Sequence, residues 1–291
     1  MTVTLDPPVD RRTVRGSADL LLAIAATSLF VLASLLGLLR DGIYQDTAPV
    51  ATMLRGYDLI TLVLVVPTLG VTLLHRVRDR PRALLLRIGL LAFGVYNYAL
   101  YLFGTEFNAV LLVHIGAFTL ALYALIVSLV RLDVANLAAQ LRPRTPVRTV
   151  AAILLVLAVG LGGMWIAGAV DFALTGRLPE EGSQLVLPIS WTHLAYVLDL
   201  ALLVPGYALA AVLLWRRRPW GYPLATMLLV AGVVSQVAYM AALIFQASAG
   251  VPGAVAFDPI EPAIALIYLA ATAGMLASLA STSATRSWPR P

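Results

Sequence analysis

Apolar residues run along this chain in eight long blocks, and nearly all charged residues fall between them. The blocks lie at roughly 18–40, 57–75, 83–105, 108–131, 148–174, 190–215, 220–246 and 260–281. Each is close to the length of about 20 residues that a helix needs to cross the hydrocarbon layer. Lipid offers no partner to bare N–H and C=O groups, so such a block must close its own hydrogen bonds as a helix. The pattern predicts an all-α polytopic membrane protein with eight transmembrane helices. The shortest breaks are "FGTEFN", where Gly104, Glu106 and Asn108 suit an interfacial turn, and "RRRPWG", whose three arginines and proline are costly in hydrocarbon. The first block is too long for the apolar core of a cleavable leader, and no A-x-A site follows it; it is expected to stay as an uncleaved signal-anchor.

Composition agrees. The 291 residues are 60% hydrophobic and 12% charged, whereas soluble domains carry about 25% charged residues. There is no cysteine, which excludes disulfides, thiol redox chemistry and Cys-ligated zinc or iron–sulfur clusters. All twenty basic residues are arginine. Seventeen of them fall on one side of the expected topology: the N-terminal segment, 76–87, 131–148, 216–218 and the C-terminal segment. Only Arg40, Arg55 and Arg177 fall on the other. The positive-inside rule then places both termini in the cytoplasm, with the protein in the plasma (inner) membrane. Arginines dispersed in short loops point to topology and lipid rather than to nucleic acid. Asp41, Asp46, Glu106, Asp171, Glu180, Glu181, Asp258 and Glu261 cluster on the outer side.

The organisation expected is a disordered tail at 1–17, a first four-helix half at 18–131, a linker at 132–147, a second half at 148–281 and a tail at 282–291. In the linker, Leu132, Val134, Leu137 and Leu141 recur near helical spacing, and Pro143 closes the run, as in a short interfacial amphipathic helix. A shift of 138 residues brings the halves into register. Pro67 falls on Pro205, Arg78 on Arg216, Pro81 on Pro219, Gly94 on Gly232 and Tyr101 on Tyr239, with 13 identities in 41 ungapped pairs from 61–101. The alternative is two unrelated hairpins sharing a basic turn. Two parallel four-helix repeats would be related by a pseudo-twofold axis along the membrane normal and would often enclose a cavity.

Polar groups at depth mark candidate sites. Asp199 lies about 13 Å below the expected outer end of the sixth span, with Tyr196 its only local partner. Asn97 lies about 12 Å deep in the third span, and Tyr101 shares its face at i+4. Under the repeat, Tyr98 aligns with Gln236 and Tyr101 with Tyr239. His114 and His193 lie in the outer third, and Glu261 opens the eighth span, where it could join Asp58, Glu106 and His114. The substrate- or ion-binding candidates are therefore Asp199, Asn97, Tyr101, Gln236, Tyr239, His114, His193 and Glu261. No catalytic residue and no metal ligand set is assigned, and no cofactor is identified. Interhelical hydrogen bonding explains the amides and tyrosines equally well. The first expectation is a secondary transporter or permease for a small solute with an outward-facing polar cavity. The alternatives are a membrane-embedded enzyme acting on a lipid or quinone-like substrate, using His114, His193, Asp199 and Glu261, and a non-catalytic sensor or assembly partner. No nucleotide-binding, metalloprotease, serine-hydrolase or calcium-loop motif occurs in a usable context.

Overall fold

The computed structural model describes residues 11–178, 188–190 and 192–279. Among the described residues, eight helices are long and apolar enough to span a bilayer: Ala18–Leu39, Ala48–Leu73, Pro81–Phe103, Leu111–Val130, Val147–Thr175, Leu194–Trp215, Gly221–Ser248 and Ile260–Ala277. Among the described residues there is no strand, only an isolated bridge between Leu141 and Leu279. The chain is a multi-span membrane protein.

The third and seventh spans are the most buried and form the centre. The seventh packs against the second, third, sixth and eighth, while the first packs on the second and fourth, and the fifth on the sixth. Small residues permit these approaches. At Gly56 a Cβ would meet the backbone of Ala242, with its nitrogen 2.6 Å away, so the second and seventh spans touch backbone to backbone. Leucine, valine and isoleucine side chains such as Leu112, Val130, Val156 and Leu174 remain exposed on the bundle's outer surface, as a lipid-facing surface requires.

The second and sixth spans both carry a break in α-helical register. A π-turn occupies Thr61–Val65 in one and Asp199–Leu203 in the other. The N–H of Val66 bonds the carbonyl of Thr61, and that of Val204 bonds Asp199, each five residues back. Pro67 and Pro205 follow after one intervening valine each. Proline has no N–H and its ring collides with the carbonyl four residues earlier, so the extra residue in the turn relieves the clash.

Polar ties close the arginine-rich end. Arg87, buried in the third span, pairs with Asp19 of the first at 3.3 Å, and Ser128 of the fourth donates to the same carboxylate at 2.7 Å. Arg82 donates to the carbonyls of Leu276 and Leu279 at 2.9 and 2.6 Å, capping the eighth span. The linker forms one short helix, Val134–Ala139, capped by Asp133. Leu132, Val134 and Leu137 are buried against Leu85, Ile88 and Leu279, so its apolar face covers the bundle end.

Two boundaries are corrected. The second span begins at Ala48, not near 57. Arg55 interrupts the apolar run, but it reaches back to Asp41 at 2.8 Å, so the helix continues past it. The first helix begins at Arg11, inside the segment expected to be a disordered tail: no proline follows Asp10, and a helix already nucleated by the span propagates at little cost. The remainder of that tail, Glu180, Glu181 and the C-terminal tail lie outside the described residues.

Candidate functional site

Two aspartates are buried inside the bundle, one on each π-turned span. Asp199 is the first residue of its π-turn, five residues after the sixth span starts at Leu194. Its depth is therefore about 7–8 Å, shallower than the expected start near Ser190 implied. The side chain is nevertheless only 6% exposed. Tyr96 of the third span donates to Oδ1 at 2.6 Å, and the indole N–H of Trp165 of the fifth span donates to Oδ2 at 2.8 Å. Tyr196, one turn earlier, does not bond the carboxylate. Its ring instead packs on Trp165, with centroids 4.3 Å apart, which holds the indole in place. Three spans are thus joined through one carboxylate.

Asp58 lies in the second span, three residues before its π-turn, and is 1% exposed. Tyr44, in the loop before that span, donates to Oδ2 at 2.5 Å. Tyr101 of the third span donates to Oδ1 at 3.1 Å and to the carbonyl of Leu54 at 2.8 Å. Burial, and secondarily the Asp58 charge, hold the Tyr44 phenol well above the usual tyrosine range, so it remains a donor. Gly37 of the first span makes room: a Cβ there would lie on the Asp58 carboxylate, whose Cγ would be 2.8 Å away.

His114 joins this second cluster. Its ring meets Tyr101 edge-on at 4.9 Å and lies 5.8 Å from Tyr98 and 6.4 Å from Tyr44. It is fully buried, and neither ring nitrogen has a hydrogen-bond partner. A neutral imidazole carries one donor and one acceptor, and buried polar atoms are rarely left unmatched. His114 therefore carries an unmatched donor and acceptor against the tyrosines that hold Asp58.

The remaining candidates separate. Asn97 is buried with its Oδ1 unpartnered, beside a void of about 10 Å3 shared with Tyr57 and Tyr101, close to the size of one water. Gln236 donates to Glu261, joining the seventh and eighth spans. Tyr239 is half-buried against the core that the first four spans form with the seventh. His193 is exposed at the head of the sixth span, unlike the buried His114, so the two do not share an environment. Glu261 likewise does not join Asp58. The backbone N–H of Glu106 bonds Asp46 at 2.8 Å, so Glu106 belongs to a loop tie. A cavity of about 390 Å3 opens at the arginine-rich end rather than on the acid-bearing face. Among the described residues no three histidine or carboxylate side chains converge as a metal site would require.

Sequence reading missed Tyr44, Tyr96 and Trp165 as site residues and named Asp58 only as a possible companion of Glu261. A run of aromatics in the third span, "YNYALY", was the available signal, but the face chosen was that of Asn97 and Tyr101. Tyr96 projects elsewhere, toward the second half. The chain matches no family model, no curated protein and no solved structure.

Proposed function

We propose that this protein is a secondary carrier for a small solute, with Asp199 and Asp58 as its proton- or cation-exchanging groups. One observation supports the reading above others. Each carboxylate lies at or beside a π-turn followed by proline, and each is held by a tyrosine of the same central span. Gaining or losing a proton at either acid therefore changes hydrogen bonds at a helix joint, which is where rigid halves of a carrier rock.

In this reading residues 18–131 and 148–281 are two parallel copies of a four-span unit, joined by the linker. The arginine-rich face and both chain ends are cytoplasmic, in the inner membrane. The arrangement of Asp58, Tyr44, Tyr101 and His114 is a sealed state, and the small void beside Asn97 is where a solute path would widen. An enzyme using His114 together with Asp199 has less support, because the two belong to different clusters.

The test is flux. The purified chain in liposomes carrying a pH-sensitive dye is given a panel of amino acids, sugars, organic acids and inorganic ions. A transported solute collapses or builds a pH gradient, and Asp199→Asn abolishes the coupling. Gradients that no solute affects, or coupling intact in Asp199→Asn, overturn the proposal.

A further inference from the structure

The cavity of about 390 Å3 at the arginine-rich end is not used by the carrier reading. It lies between the turn joining the second and third spans and the linker helix, where the third span enters the apolar layer. Its volume falls in the range of small-molecule sites, roughly 300–1,000 Å3.

Four charged side chains line it, and they are not equivalent. Asp79 is in an ion pair with Arg78 at 3.5 Å. Asp133 accepts the backbone N–H of Asn136 and caps the linker helix, where the helix dipole offsets its charge. Arg76 and Arg80 are exposed and form no ion pair among the described residues. Two guanidinium groups therefore keep free donors at the basin. Gln140 adds a second unmet demand: its Oε1 is buried with no donor. A hydroxyl or amine on an occupant would satisfy it once the half-buried side chain turns its amide into the basin. Leu84 and Leu137 supply an apolar wall on the membrane side.

We infer that this basin binds the headgroup of an anionic phospholipid whose phosphate is esterified to a polyol, as in phosphatidylglycerol. The phosphate diester takes Arg76 and Arg80, a free headgroup hydroxyl donates to Gln140 Oε1, and the glycerol backbone and upper acyl chain lie on the leucine wall. Guanidinium groups suit phosphate oxygens because both are planar or forked and can meet in two parallel bonds. A soluble phosphate ester would use the same arginines but would leave the apolar wall bare.

Thermal unfolding of the full chain in neutral detergent tests this, titrated with short-chain phosphatidylglycerol, phosphatidylcholine, phosphatidic acid or glycerol phosphate. Phosphatidylglycerol is expected to raise the midpoint saturably and phosphatidylcholine to leave it unchanged. Arg76→Gln with Arg80→Gln weakens the effect about thirtyfold, since each interfacial arginine contributes about fivefold. Gln140→Leu removes the preference for phosphatidylglycerol over phosphatidic acid, which has no headgroup hydroxyl. Lipid retained in native mass spectrometry provides a second readout independent of unfolding. Equal stabilisation by phosphatidylcholine, an unchanged response in the double variant, or a full shift from glycerol phosphate alone each overturns the inference. None of these outcomes depends on Asp58 or Asp199, so the carrier proposal and this one fail separately.

Discussion

Thr61 and Asp199 occupy matching places in their helices: each is the first residue of a five-residue π-turn, and each lies six residues before a proline. They stand 138 residues apart, the same offset that brings the two basic turns into register. The chemistry is exchanged across the offset. Asp58 is one turn before Thr61, whereas the residue one turn before Asp199 is Tyr196. Each of these two spans thus has one buried carboxylate at or within a turn of its helix break, at different positions.

The Asp199 carboxylate satisfies two donors that have few alternatives. Replacing it by leucine leaves the Tyr96 hydroxyl and the Trp165 indole N–H without acceptors, and each orphaned group costs about 1–3 kcal/mol. Asp199→Asn retains one acceptor oxygen and is expected to lose about half as much. The unfolding midpoint in detergent gives the ranking. The emission of Trp165, isolated by comparison with Trp165→Phe, reports loss of its hydrogen bond. Equal midpoints for the leucine and asparagine variants would show that the two donors find other partners.

Glycine substitutions on neighbouring helices should act in opposite directions. At Gly37 an added methyl group falls on the Asp58 carboxylate and its Tyr44 partner. Overpacking of this kind costs about 1–3 kcal/mol. At Gly70, in the second span, nothing lies within 4 Å of an added Cβ. Alanine there gains about 0.5–1 kcal/mol from the stiffer helix. A Gly37→Ala protein as stable as Gly70→Ala would contradict the packing described around Asp58.

The Arg87–Asp19 pair offers a test of buried charge. Its side chains are 7% and 15% exposed, so removing one partner strands the other. Asp19→Ala is expected to cost about 3–5 kcal/mol. The double replacement Asp19→Leu with Arg87→Met should recover most of that loss, because it removes both desolvated charges. The exposed Arg55–Asp41 pair should show no such penalty, since its aspartate is almost wholly in solvent.

Asp46, in the loop before the second span, should make stability pH-dependent. Burial raises its pKa above the ordinary value of 3.8, partly opposed by the bond from the Glu106 N–H. The folded state therefore holds the proton more tightly than the unfolded chain. This contribution to stability is fully present below the ordinary aspartate pKa and is lost as pH rises through the raised value. Asp46→Asn keeps the acceptor for Glu106 and removes the titration. The difference in unfolding midpoint between wild type and variant, followed from about pH 4 to about pH 8 across the aspartate range, should move in favour of the variant as pH rises. A constant difference would remove Asp46 from the account.

What could be read from the sequence alone is what depends on each segment separately. Stripping water from a peptide backbone forces a helix wherever about 20 apolar residues run together, so eight spans were legible, with Asp199 inside the sixth though not at its expected depth. So were the two mid-span prolines and the apolar face of the linker. Tertiary structure decided the partners. Tyr96 and Asp199 are 103 residues apart, and which tyrosine of "YNYALY" faces the second half depends on how the third helix is rotated between its neighbours. That rotation is set by close approaches such as Gly89 against Val230 and Gly94 against Phe30, not by any pattern within the helix itself. Asp58 illustrates the same division. The expected span at 57–75 held it at the outer end; the fold starts the helix at Ala48, with Arg55 paired to Asp41, and so sets the carboxylate well inside it.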